Sequence, residues 1–208
     1  MTTTDASRET TKTRDEPTQM KSHSKLCAWL IALLILAATA FQLHRQGRLW
    51  TCACGRVLLW TGDAWSTETS QHLFDPYSFT HVLHGFAFCG LLALTIPKLA
   101  AHWRLCLAVA LESVWEIIEN TNFVINRYRE TTAALGYTGD TVINSVGDIA
   151  ACAVGFLVAR RLGWRRTLVA FALVELALIL TIRDSLLLNI LMLLHPSDAI
   201  KAWQAGHH

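Results

Sequence analysis

Three short stretches carry residues whose types and spacing suit chemistry. "HVLHG" sets His81 and His84 three apart. "ESVWEIIEN" sets Glu112, Glu116 and Glu119 at i, i+4 and i+7. "GDTVINSVGD" sets Asp140, Asn144 and Asp148 at i, i+4 and i+8. On a helix, each set lies along one face. Two neutral imidazoles a turn apart are a workable ligand pair for a divalent metal, and equally two histidines making hydrogen bonds at a membrane interface. A stripe of carboxylates can hold a cation or serve as a general acid and base. It can also lock helices together by pairing with Arg127, Arg129 or the histidines. Carboxylates this close cannot all ionise without a partner. Asp140, with Thr141 after it, has a second reading as a helix cap. Asn144 and Asp148 lie too deep in their segment for capping to explain them.

Other polar residues flank these sets. "SQHLFD" puts His72 and Asp75 just ahead of the histidine segment, Asn120 closes the glutamate segment, and Arg127 follows it. Cys52 and Cys54 are the two cysteines in a polar stretch, and an oxidising compartment would permit them to pair. The other four lie in apolar runs, where Cys is a small hydrophobe, so no disulfide framework is implied. Glu175 is a solitary acid in an apolar run.

These residues need elements to position them. The chain has 208 residues, of which 52% are apolar and 16% charged. A soluble domain carries about 25% charged residues. Eight tryptophans suit a chain that meets two membrane–water interfaces. The net charge of +2, with no basic patch interleaved with aromatics, excludes a nucleic-acid groove. The expected partner is the lipid bilayer. Residues 1–25 contain no Leu, Ile, Val or Phe and read as a disordered cytoplasmic leader. "LCAWLIALLILAATAFQLH", 26–44, is uncharged and long enough to cross a bilayer. Its "ATA" resembles a signal-peptidase site, but the long polar leader and continued apolar run favour an uncleaved anchor. Further spans are expected at 76–97, 105–125, 141–159 and 167–182. Residues 186–194 either continue the last span or lie at the interface, and 195–208 form a polar tail. Residues 45–74 and 126–139 read as polar connections. The fold class is therefore an all-α integral membrane protein, a bundle of about five transmembrane helices.

Placing the N-terminus in the cytoplasm puts eleven Lys and Arg inside and seven outside, in line with the positive-inside rule. That topology brings the polar ends of spans two, three and four to one layer near the outer face. His81, His84, Glu116, Glu119, Asn120, Asp140, Asn144 and Asp148 would share it. Glu112 would lie a turn deeper.

"CACG", "TSQHLFDPYSFTHVLHGF", "WEIIEN", "INRYR", "ALGYTGDTVINSVGD" and "GFLVAR" together resemble an uncharacterised family of bacterial multi-pass membrane proteins, a domain-of-unknown-function family. The resemblance runs from about residue 50 to 160. It departs from the family pattern at Thr69 and Pro76, where Asn and Trp are usual. It implies an integral protein of the bacterial inner membrane and assigns no catalytic residue. A fainter pattern similarity links the chain to VanZ-like membrane proteins, by analogy only. Three functions fit this picture. One is a metal- or carboxylate-dependent hydrolase or transferase acting on a lipid or envelope precursor. Here Glu116, Glu119 and Asp148 would be catalytic, His81 and His84 would bind the metal, and the cofactor would be a divalent cation. The others are a proton-coupled transporter or small-molecule binding protein, and a structural membrane protein.

Overall fold

The computed structural model describes residues 16–133 and 136–206, with side chains from residue 23 onward. Eight helices account for the fold, with no strand among the described residues: α1 Glu16–Arg45, α2 Ser78–Thr95, α3 Ala101–Glu119, α4 Asn122–Thr131, α5 Val142–Leu162, α6 Trp164–Ile182, α7 Leu186–Leu194 and α8 Asp198–Ala205. α1 reaches back to Glu16, ten residues into the stretch read as a leader; residues 1–15 lie outside those described.

Three helices are long and apolar enough to cross a bilayer: His23–Arg45 within α1, α2 and α5. The bent pair α6–α7 makes a fourth if it is one span. α3 has the length, but Arg104 and three glutamates make it too polar to qualify on its own.

Close backbone contact explains why α2 and α5 form the most extensive helix pair. A Cβ built on Gly85 would sit 2.1 Å from the Cys152 carbonyl oxygen, and one on Gly155 would sit 2.2 Å from the Val82 carbonyl oxygen. Each helix therefore presses its backbone into the other's glycine notch, which is how membrane helices associate where apolar burial supplies no drive. α1 lies against α3 and α5 through small residues, Ala28 and Ala32 meeting Cys106, Val109 and Ile149. Leu178 and Ile182 of α6 close the far side, on Leu83, Phe86 and Ala159.

Two boundaries differ from the sequence expectation. The third element stops at Glu119 rather than running to 125, and residues 122–131 form α4 instead of a polar turn. Thr121 is the reason: it adopts an extended conformation, and its hydroxyl accepts from the Val124 amide, starting a new helix. The second boundary is a break within 167–194. Arg183 adopts a left-handed conformation, Ser185 caps α7, and the pair bends by 74°. Glu175 takes part in this break, accepting from the Leu187 amide at 3.4 Å. The tail also carries α8, where a helix had not been expected.

Candidate functional site: a buried histidine–carboxylate cluster

The first two turns of α2, the last turns of α3 and the first two turns of α5 meet at one end of the bundle. Glu112 and Glu116 are fully enclosed there, and His81 and Asp148 are nearly so. Glu112, which sequence reasoning placed a turn too deep to explain, is the hub. His81 Nδ1 lies 2.5 Å from its Oε1, and His84 Nδ1 lies 3.0 Å from both of its oxygens. A carboxylate is acceptor-only, so both rings donate through Nδ1–H. This fixes the tautomer and leaves Nε2 of each neutral ring with a free lone pair.

His81 Nε2 faces α5, 3.8 Å from Asp148 Oδ2. Glu116 Oε1 comes within 3.3 Å of His81 Nδ1, but Glu112 already holds that proton. Among the described residues, neither oxygen of Glu116 has a hydrogen-bond partner, nor has Asp148 Oδ1. Ligand atoms of His81, Glu116 and Asp148 all lie within 4.8 Å of one another, as do those of His81, His84 and Glu112, and those of Glu116, Glu119 and Asp140. A buried carboxylate without a donor is costly. An imidazole nitrogen and two carboxylates are a fitting donor set for a divalent cation.

The layer continues toward the end of the bundle. Glu119 accepts from the Tyr128 hydroxyl at 3.1 Å, and its other oxygen has no partner. Asn120 and Asp140 are reciprocally bonded: the Asn120 amide donates to Asp140 Oδ2 at 2.8 Å, and the Asp140 backbone N–H donates to Asn120 Oδ1 at 2.8 Å. Tyr137 donates to Asp140 Oδ1 at 2.9 Å. Gly139, at φ +92°, makes the turn that aims Asp140 this way. Thr141, not Asp140, caps α5, its hydroxyl accepting from the Asn144 amide.

Several predicted members stand outside this cluster. Asn144 donates to the His72 carbonyl at 2.8 Å and so ties the 70–75 segment to α5. Arg127 turns away from the acids and donates to the Leu193 carbonyl at the end of α7. His72 sits between Glu68, 3.1 Å from its Nε2, and the Leu58 amide, which donates to Nδ1. Cys52 and Cys54 are joined as a disulfide beside it. Asp75 organises the entry to α2, accepting from the Ser70 and Tyr77 amides at 2.7 Å each. Burial pushes its carboxyl above the ordinary range, and those two amides pull it back. Replacing Asp75 with alanine strands both donors in a buried place. The expected cost is about 2 kcal/mol or more, read as a lower melting temperature in detergent; an unchanged melt would show that the loop does not depend on it.

The family model "Protein of unknown function (DUF2585)" matches residues 43–206. The chain belongs to this family. Every residue of the cluster lies inside the DUF2585 match, which also runs well past residue 160, where the resemblance seen in the sequence thinned out. Most of α1 precedes it. Similar proteins include the UPF0314 protein of Rhizobium meliloti, 49% identical over 86% of this chain and 91% of its own length. The UPF0314 protein of Sphingopyxis alaskensis is 46% identical over 86% and 95%, and that of Brucella anthropi 45% identical over 85% and 90%. No solved structure matches. Sequence reasoning missed Tyr128 and Tyr137 as the hydroxyl donors to Glu119 and Asp140. Both stand in the quoted stretches "INRYR" and "ALGYTGD", so their motifs were visible but their roles were not.

Proposed function

We propose that this DUF2585 protein is an inner-membrane metalloprotein. A divalent cation is held between α2, α3 and α5 by His81 Nε2, Glu116 and Asp148. The observation that carries this reading is the pair of enclosed Glu116 oxygens, which have no donor although they lie beside an imidazole. A cation gives them a partner, and Glu112 orients the histidine from behind. Three protein ligands leave a coordination position open, the pattern of a catalytic rather than a structural site. The reaction class is hydrolysis or group transfer on a lipid or envelope precursor. There the cation would polarise the reacting oxygen, and His84 is the more exposed of the two histidines. The relay alternative drew its support from Glu175, one oxygen of which accepts from the Leu187 amide at 3.4 Å while the other has no hydrogen-bond partner among the described residues.

The chain crosses the bilayer five times in this reading, α3 included. The acids of α3 turn inward, while Leu107, Leu111, Val114 and Ile118 form an exposed apolar stripe on its other face. Lys98, Arg104, Arg160, Arg161, Arg165 and Arg166 lie at the end opposite the acids, which supports an N-terminus inside and a cluster toward the outer face. Reporter fusions at 98–100 and 132–133 are expected to report inside and outside respectively; both on one side would refute five crossings. For the chemistry, purified protein is incubated with inner-membrane lipid extract and Mn²⁺. New lipid species should form with the wild type and not with Glu116→Gln. Identical lipid profiles would contradict the enzyme reading.

A further inference from the structure

Glu116 belongs to two groups at once. One is His81, Glu116 and Asp148; the other is Glu116, Glu119 and Asp140. We infer that Glu116 bridges two divalent cations, the second held by Glu119 and Asp140. This rests on the cation reading of the His81 site and extends it.

Three observations carry the bridge. First, both oxygens of Glu116 are buried and unpartnered, so one is available to each side. A single cation bound through one oxygen would leave the other stranded. Second, Glu119 Oε2 is also buried without a partner, although its Oε1 is fixed by Tyr128. Asp140 is held from behind in the same manner, by Tyr137 on one oxygen and Asn120 on the other. Ligands held by hydrogen bonds from outside the site are the usual support of a metal centre. Third, a second cation offsets charge that one cation leaves. The two sites contain four carboxylates, Glu116, Glu119, Asp140 and Asp148, while Glu112 accepts hydrogen bonds from two neutral histidines and keeps its own charge. Two divalent cations offset the four carboxylates of the two sites. One cation leaves two of the four uncompensated in the interior of a membrane bundle, where such charge is expensive. Paired metal ions about 3.5–4 Å apart are a known catalytic arrangement, and a shared carboxylate is the way to hold them.

The test uses full-length protein purified in detergent, stripped of metal and reloaded with Mn²⁺. Bound ions are counted, and the electron paramagnetic resonance spectrum is recorded. Two ions per chain with a coupled-pair spectrum are expected. Asp140→Asn and Glu119→Gln should each leave one ion with an isolated-ion spectrum and an unchanged melting temperature or a modest shift. One ion per chain with an isolated-ion spectrum in the wild type would overturn the bridge and leave the single-cation reading standing. No retained ion would overturn both. The wild-type spectrum decides the matter even if a variant fails to fold.

Discussion

Gly85→Ala is expected to unfold or nearly unfold the bundle, while Gly90→Ala in the same helix leaves it as stable as before or slightly more so. The two substitutions add the same methyl group to α2. At Gly90 that methyl meets nothing within 4 Å, and alanine is the better helix former by about 1 kcal/mol. At Gly85 it would lie 2.1 Å from the Cys152 carbonyl oxygen and 2.6 Å from the Phe156 nitrogen. Both are backbone atoms, so no rotamer change relieves the clash; α2 and α5 must separate. Overpacking of this kind costs about 1–3 kcal/mol in soluble cores and occasionally more. Here the same movement would pull His81 away from Asp148, so cation binding should fall with stability. Thermal unfolding in detergent and metal retention of the two variants check this. Equal behaviour at Gly85 and Gly90 would show that the helices are not packed backbone to backbone.

The second large effect separates the proposed ligands from the residue that orients one of them. Glu116→Gln is expected to abolish cation retention, because glutamine keeps the shape of the side chain and removes the charge that binds. Glu112→Gln is expected to weaken binding about 10- to 100-fold without removing the site, the usual cost of losing the carboxylate behind a metal-binding histidine. The asymmetry follows from geometry. Glu112 takes the Nδ1 protons of both histidines, whereas Glu116 has no donor. Isothermal titration with Mn²⁺ or Zn²⁺ reads both variants. If Glu112→Gln were the more damaging, Glu112 would be the ligand and His81 and His84 would point their other nitrogens elsewhere.

Much of this cluster was legible in the sequence. Helical periodicity put His81 with His84, and Glu112 with Glu116 and Glu119, and the alternation of spans brought those faces to one end. The structure places a backbone carbonyl against Gly85, Gly147 and Gly155. What the sequence hid is pairing across helices. A turn of depth separates Glu112 from Glu116, and which of them meets the histidines depends on how far α3 slides along α2. That offset is set by packing between separate helices, not by any local signal. Arg127 misled for a related reason. It was read as a cation for the acids because Thr121, one capping residue, had not been seen to start a new helix, α4, whose arginine points to the end of α7. The count of spans differs on α3, and on α6–α7 unless that bent pair is one span; the inward acids of α3 lower its apparent suitability for a membrane while its outward stripe remains apolar.

In the proposed reading the enclosed carboxylates exist to hold metal. Full-length protein purified in detergent without chelator, then dialysed against micromolar Mn²⁺ or Zn²⁺ and washed, gives the direct answer through elemental analysis. Divalent metal is expected in whole-number proportion to the chain, with fewer ions in a folded His81→Ala variant and none in a folded Glu116→Gln variant. Metal-free wild-type protein with an undisturbed fold would contradict it.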